Sequence, residues 1–241
     1  MSDYFIELRM TEKASKDQIL KLLREKVALK QEVSDVTHEV FAELKVILKE
    51  LFTDLEKEVL RLKKNIPMAY QERGDFEVVL TIADDTLVFL MHTNVFTFEK
   101  NHEIWKNSYV QEQPLCIFCG KIYVYNFLSD SFKYNRTNDV GYLIARVFIN
   151  RERHFFVEGK RQLGFLFNDF QHDILNEGRI REVLEASILY SLDFDPFTPP
   201  YDQMTPISVQ AVLETSLLTK IATGKRLGFR FQADKGSLEM P

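Results

Sequence analysis

Cys116-Ile-Phe-Cys119-Gly120 is the stretch of this chain with the sharpest potential for chemistry. Two thiolates at that spacing converge on one metal in a zinc knuckle, and a glycine after the second relieves the tight turn. A tetrahedral site needs four ligands, and the chain has only two cysteines. His92, His102, His154, His172 or a second subunit would have to complete it. A redox pair is the other chemical reading, weakened because no helix is expected after the motif. The simpler reading makes Cys116 and Cys119 small apolar residues of a buried strand, where a spacing of three points them to opposite faces.

A second signal is an internal echo. Gly159-Lys-Arg-Gln-Leu-Gly-Phe-Leu-Phe167 resembles Gly224-Lys-Arg-Leu-Gly-Phe-Arg-Phe231, with one residue inserted. In each, a basic turn leads into an expected strand with an internal glycine, which often marks a bulge or a close backbone approach. If the strands are neighbours, Lys160, Arg161, Lys225 and Arg226 share one end of the sheet and form an anion site. Arginine there gives planar, bidentate recognition and lysine a point charge. The plainer reading is two solvated turns of similar composition.

Other constellations are weaker. Arg146, Arg151, Arg153, His154, Lys160 and Arg161 surround Phe155 and Phe156 in the manner of a basic–aromatic nucleic-acid surface, but Glu152 and Glu158 dilute it and the net charge is −5. Asp169 and Asp173 flank His172 where a helix is expected to begin, and acids in a first helical turn are explained by the helix dipole. The dinucleotide, P-loop, zincin and nucleophile-elbow motifs are absent from the sequence. Nothing in it calls for a cofactor.

These residues must be positioned by 241 residues of ordinary globular composition, 45% hydrophobic and 28% charged. Met1–Ile66 carries equal numbers of acids and bases, so the acidic excess lies in the rest of the chain. Two cysteines exclude a disulfide-dense scaffold. The N-terminus lacks a basic region followed by an apolar one, and the most apolar window, Val78–Phe98, is split by Asp84-Asp85. The expectation is a soluble cytoplasmic protein.

The dominant element is a helical pattern from Ser15 to Asn65, ~75 Å if continuous. Ser15 and Gln18 form a capping box, and Asn65 and Pro67 supply a stop. Leu22, Leu29 and Val36 make one apolar row and Val33 and Val40 another, interrupted by Lys26. Beyond Val40 the stripe is too wide for a two-stranded seam. The remaining chain makes a body only about 40 Å across. So long a helix must pair with another copy, fold back or dock on a partner. Ser34–His38, poor in helix formers, is where a hairpin break would fall.

Tyr4–Met10 reads as a strand. Phe76–Ile82, Thr86–Phe98, Leu115–Leu128 and Phe132–Tyr134 read as strands, and 99–114 as a loop or short helix. Val140, Leu143, Ile144, Val147 and Phe148 have helical spacing after Asn138 as N-cap. His154–Val157 and Leu163–Phe167 suggest a hairpin, and Ile174–Leu192 a helix. A proline-rich connector, Asp193–Pro206, leads to a helix Ile207–Ala222 and a strand Leu227–Phe231.

The expected fold is therefore α+β: a long N-terminal helix or helical hairpin on a largely antiparallel sheet with C-terminal covering helices. Its parts are 1–66, the strand and oligomerisation helix; 67–192, the body; and 193–241, which completes the body. Three functions follow in order. The first is a non-enzymatic binding or scaffold protein that self-associates, as a dimer in the first instance, through the helix and presents an α+β surface to a protein partner or a small anionic ligand. The second is a small-molecule sensor with an aromatic-lined pocket, suggested by twenty phenylalanines. The third is an enzyme without a short signature. No membrane and no nucleic acid is expected as partner.

Overall fold

A computed structural model describes residues 15–195. The expected strand at Tyr4–Met10, most of the proline-rich connector, the helix Ile207–Ala222, the strand Leu227–Phe231 and the pair Lys225 and Arg226 lie outside these residues.

The helix is continuous from 15 to 61, ~70 Å long at about 1.5 Å per residue. It does not break at Ser34–His38. Val33 and Thr37 there are buried, in line with Val40, Phe41, Leu44, Ile47, Leu48 and Leu51. The Thr37 hydroxyl donates to the Val33 carbonyl at 2.6 Å, so its polar atom is satisfied within the helix. Beneath it lies Gly120, where a Cβ atom would stand 1.9 Å from the Thr37 Oγ1. The helix thus comes closest to the sheet where the sheet has no side chain, and this fit outweighs the local propensity.

One irregularity interrupts the helix. At Leu23–Val27 the ladder widens to a π-type turn, and the Ala28 N–H donates to the Leu23 carbonyl. One inserted residue rotates the apolar row by about 100°. The single row expected through Leu22 and Leu29 is broken as a result: Leu22 is 52% exposed and Leu29 only 3%. The helix ends at Arg61 and not at Asn65, and the left-handed residue is Lys63 (φ 52°). The chain needs the residues between to reverse into a strand that starts just after Pro67.

That strand, β1 (Met68–Glu72), opens a six-stranded sheet with β2 (Glu77–Ile82), β3 (Asp85–Phe96), β4 (Cys119–Leu128), β5 (Tyr142–Ile149) and β6 (Phe155–Gly159). The strands lie in sequence order, every neighbouring pair antiparallel. The inner face carries Val78, Leu80, Leu87, Phe89, Met91, Ile122, Val124, Val147, Ile149, Phe155 and Val157. They share one core with the long helix and with a closing helix, Glu177–Leu192. The closing helix begins later than Ile174 because Asn176 caps it, accepting from the Arg179 N–H at 3.0 Å. Arg153 ties the layers together: it is doubly bonded to Glu43 of the long helix and donates to the Leu175 carbonyl at 3.0 Å.

Three local expectations are corrected. The helical spacing at Val140–Phe148 belongs to β5, where a bulge opposite Val124 and Tyr125 turns both Ile144 and Ala145 inward. Two consecutive inward residues break the period of two and mimic a helical step. Leu163–Phe167 is not a strand: Arg161–Gly164 forms a 3-10 turn, and the Gly164 backbone lies so close that a Cβ would stand 2.4 Å from the Gly159 carbonyl. The close approach announced by the glycine is real, but it closes a turn. Phe132–Tyr134 continues a one-turn helix, Ser129–Lys133, and not a strand.

Candidate functional site

Residues 15–28 of the long helix are all exposed. Ile19, Leu20, Leu22, Leu23 and Val27 stand there with 37–57% of their surface in solvent, and nothing else among the described residues covers them. A short helix of this length is marginal alone, so it is held by continuity with the anchored turns from Leu29 onward.

The outer face of the sheet is a second apolar and aromatic region, half-buried for the most part. Segment 97–118 covers one end of it: its Ile104, Val110 and Ile117 form a second apolar cluster with Phe170, Cys119, Phe148 and Phe156, and Phe98 packs on that cluster. At the opposite end, Phe132 lies edge-on to Phe127 at 5.3 Å. Between these borders the alternate residues of β4 (Lys121, Tyr123, Tyr125, Phe127) face outward beside Val88 and Leu90 of β3 and Leu143 and Arg146 of β5. The Tyr123 and Tyr125 rings stack at 5.5 Å, and neither hydroxyl has a hydrogen-bond partner among the described residues. Burial pushes the Tyr125 phenol up.

Lys121 is the unusual member of this row. It is 8% exposed, and its ammonium lies 3.6 Å from the Phe96 ring centroid and 4.7 Å from that of Tyr123. No carboxylate or carbonyl among the described residues pairs with it. A register shift between His92 and Phe96 in β3 brings the Phe96 ring to this place, the re-aiming that bulges characteristically perform. His92, opposite Lys121, packs edge-on to Phe96 at 4.7 Å. Its Nδ1 accepts from the Asn94 N–H at 3.0 Å, so in the neutral ring the proton sits on Nε2. Arg146, opposite Tyr123, bonds Glu158, whose other oxygen is 3.3 Å from the His102 Nε2.

The residues singled out by sequence fall elsewhere. Cys116 lies in a 3-10 turn, Pro114–Ile117, and Cys119 begins β4; both are buried. Burial pushes both thiols up, away from the thiolates a metal requires. Cys116 donates to the Gln113 Oε1 at 3.5 Å. Among the described residues no three His, Cys, Asp or Glu side chains gather into a group able to hold a metal ion. Lys160 is exposed and precedes the 3-10 turn Arg161–Gly164. Arg161 is engaged by Asp193 at 2.6 Å and lies over the Tyr190 ring, so an anion there would compete with a carboxylate already in place. Asp169 and His172 pair at 3.0 Å in an exposed turn, and that hydrogen bond holds the Asp169 carboxyl low. Asp173 instead bonds Arg179 at 2.6 Å. The triple is divided between a surface pair and a structural one.

A buried polar network that sequence reasoning missed surrounds the β5–β6 turn. Asn150, fully buried, donates to the Tyr109 hydroxyl at 2.9 Å and the Cys116 carbonyl at 3.3 Å. Its carbonyl accepts from the N–H groups of Glu152 at 2.9 Å and His154 at 3.0 Å. Every polar valence of the amide is thereby used, and Tyr109 passes on to Glu152 at 2.7 Å. This is a turn clamp: it holds segment 97–118 on the sheet and leaves no group free for chemistry. No helix of the described residues is long and apolar enough to cross a membrane. No family model, no curated protein and no solved structure matches the chain.

Proposed function

We propose that this chain is a self-associating binding or scaffold protein. Its long helix is both the anchor of the body and, through residues 15–28, the contact between copies. The exposed Ile19, Leu20, Leu22, Leu23 and Val27 carry this reading. With about half of each surface still in water, a partner that buried these side chains would recover roughly 0.7–1.5 kcal/mol for each. The anchored half supports it too, because Leu29 to Leu51 fastens the helix to the sheet while residues 15–28 are all exposed. The α+β body then contributes the outer sheet face as the surface for a partner or ligand.

Light scattering across a range of concentrations tests the self-association. The expected mass is a multiple of 28.3 kDa for the parent chain. Replacing Leu23→Glu and Val27→Glu together, at exposed positions, is expected to return the monomer mass while circular dichroism is unchanged. A parent chain that stays monomeric at all concentrations removes the reading.

A further inference from the structure

We propose that residues 207–222 of this chain dock as a helix in a groove between the closing helix and the turn Arg161–Gly164. The chain beyond Asp195 thereby folds back on its own body. This is independent of self-association through the long helix, because one chain supplies both sides of the contact.

The groove is made of two cavities of about 300 Å³ each, which share Gln162, Ala186 and Leu189. One runs past Leu163 and Tyr190 to Asp193, the other past Leu166 and Phe167 to Glu182. Ala186 stands between Glu182 and Tyr190 in one i, i+4 row of the closing helix, and its short side chain opens the space between them. The rim is apolar. Leu189 is 63% exposed and Leu166 49%, with Phe165 at 66% and Leu192 at 49% close by in sequence. Clustered apolar side chains of this kind mark a contact surface.

The chain itself names the occupant. Asp193 caps the closing helix and also lines the groove, so the remaining chain departs from the groove's own mouth. Residues 196–206 can span up to ~34 Å at about 3.1 Å per residue, and the helix between Asp193 and Glu182 measures only ~17 Å. The connector therefore reaches either end of the groove. Residues 207–222 contain just two charged side chains, Glu214 and Lys220. Val209, Leu213, Leu217 and Ile221 form an unbroken i, i+4 row, with Val212 beside it. A helix so poor in charge needs a surface to bury it, and one of this length is marginal alone. Its row is the kind of ridge that seats beside the row through Ala186. Tethering holds the segment at an effective concentration on the order of millimolar, so a partner from solution would have to displace it.

Hydrogen exchange on the full chain, read by mass spectrometry of its peptides, tests the docking. The amides of residues 211–222 are expected to exchange at least tenfold more slowly than unstructured chain, at a rate independent of protein concentration. Leu166→Glu together with Leu189→Glu, at positions exposed on the body, is expected to return them to the unstructured rate. Amides of β3 and β4 should keep their protection in that variant, which separates undocking from a failure to fold. Leu23→Glu together with Val27→Glu should leave residues 211–222 as protected as in the parent. The proposal is overturned if these residues exchange as unstructured chain in the parent, or if Leu166→Glu with Leu189→Glu leaves them protected. It is also overturned if Leu23→Glu with Val27→Glu exposes them, which would place the segment on the long helix. Protection that grows with protein concentration would overturn it too, because the segment would then lie on a neighbouring copy. A monomeric parent with residues 211–222 protected would remove the self-association and leave this docking standing.

Discussion

Replacing Gly120 by alanine tests the seating of the long helix on the sheet. The new Cβ would stand 1.9 Å from the Thr37 Oγ1 and 2.7 Å from its Cβ and Cγ2. Thr37 is 1% exposed on a helix anchored by Val33, Val40 and Phe41, so neither side can step aside freely. Overpacking of this kind costs about 1–3 kcal/mol. Elsewhere, at a position whose backbone alanine can adopt, the same change stabilises by about 0.4–1 kcal/mol through the unfolded chain, so the sign alone is informative. Thr37→Ala by itself loses a buried methyl worth about 0.8 kcal/mol and regains up to about 0.7 kcal/mol of helix propensity. It should be nearly silent. Combined, Thr37→Ala removes the atoms that obstruct the new Cβ, and the pair should be more stable than the sum predicts by about 1 kcal/mol or more. Urea denaturation of the parent, the two single variants and the double variant measures this directly, provided the slope is the same for all four. Additive effects, or a Gly120→Ala chain as stable as the parent, would refute the close approach of helix and β4 and with it the continuous helix.

Asn150→Ala should cost about 3 kcal/mol or more in the same assay, because it leaves the N–H groups of Glu152 and His154 without their acceptor and removes the donor to the Cys116 carbonyl. A loss below about 1 kcal/mol would show that the clamp is not what holds segment 97–118. The pH dependence is expected on the alkaline side. The phenols of Tyr70, Tyr109, Tyr125 and Tyr190 and the thiols of Cys116 and Cys119 are all raised by burial in the folded chain. Their protons are held more tightly folded than unfolded, so their contribution is complete below the unfolded values, about 8.5 for a thiol and about 10 for a phenol, and is lost as pH rises beyond them. Denaturation midpoints should therefore fall steeply above about pH 9, and both thiols should resist a disulfide reagent until the chain unfolds. Rapid stoichiometric labelling of the native protein at neutral pH would contradict their burial.

Most of the scaffold is legible in the residues because alternation and caps state it openly. Phe76–Ile82 and Thr86–Phe98 hold β2 and most of β3, and Asn176 explains where the closing helix starts. What stays hidden depends on partners distant in sequence. β1 is a five-residue, mostly exposed edge strand whose place is set by pairing with β2. β5 is disguised by its bulge, and the continuity of the helix through Ser34–His38 depends on a glycine in β4. The same holds for the candidate sites. Cys116, Cys119, Lys160 and Arg161 attract notice as motifs, but the structure spends them on core contacts, an exposed turn and an ion pair. The outward row Lys121, Tyr123, Tyr125 and Phe127 was present as a plain period of two against Ile122 and Val124. Its place on the outer face required knowing which side of the sheet the helices cover.

The proposed contact through residues 15–28 of the long helix is tested most directly by a distance between copies. A spin label attached after Lys21→Cys, at an exposed position midway along residues 15–28, reports on any twofold pairing through that segment, since the native thiols are buried. Pulsed dipolar spectroscopy on the labelled full chain is expected to show a defined intermolecular distance within about 25 Å, two helix diameters. Dilution with unlabelled chain should reduce the modulation depth without changing that distance. A decay with no dipolar modulation, at concentrations where scattering finds only the monomer, would contradict the account.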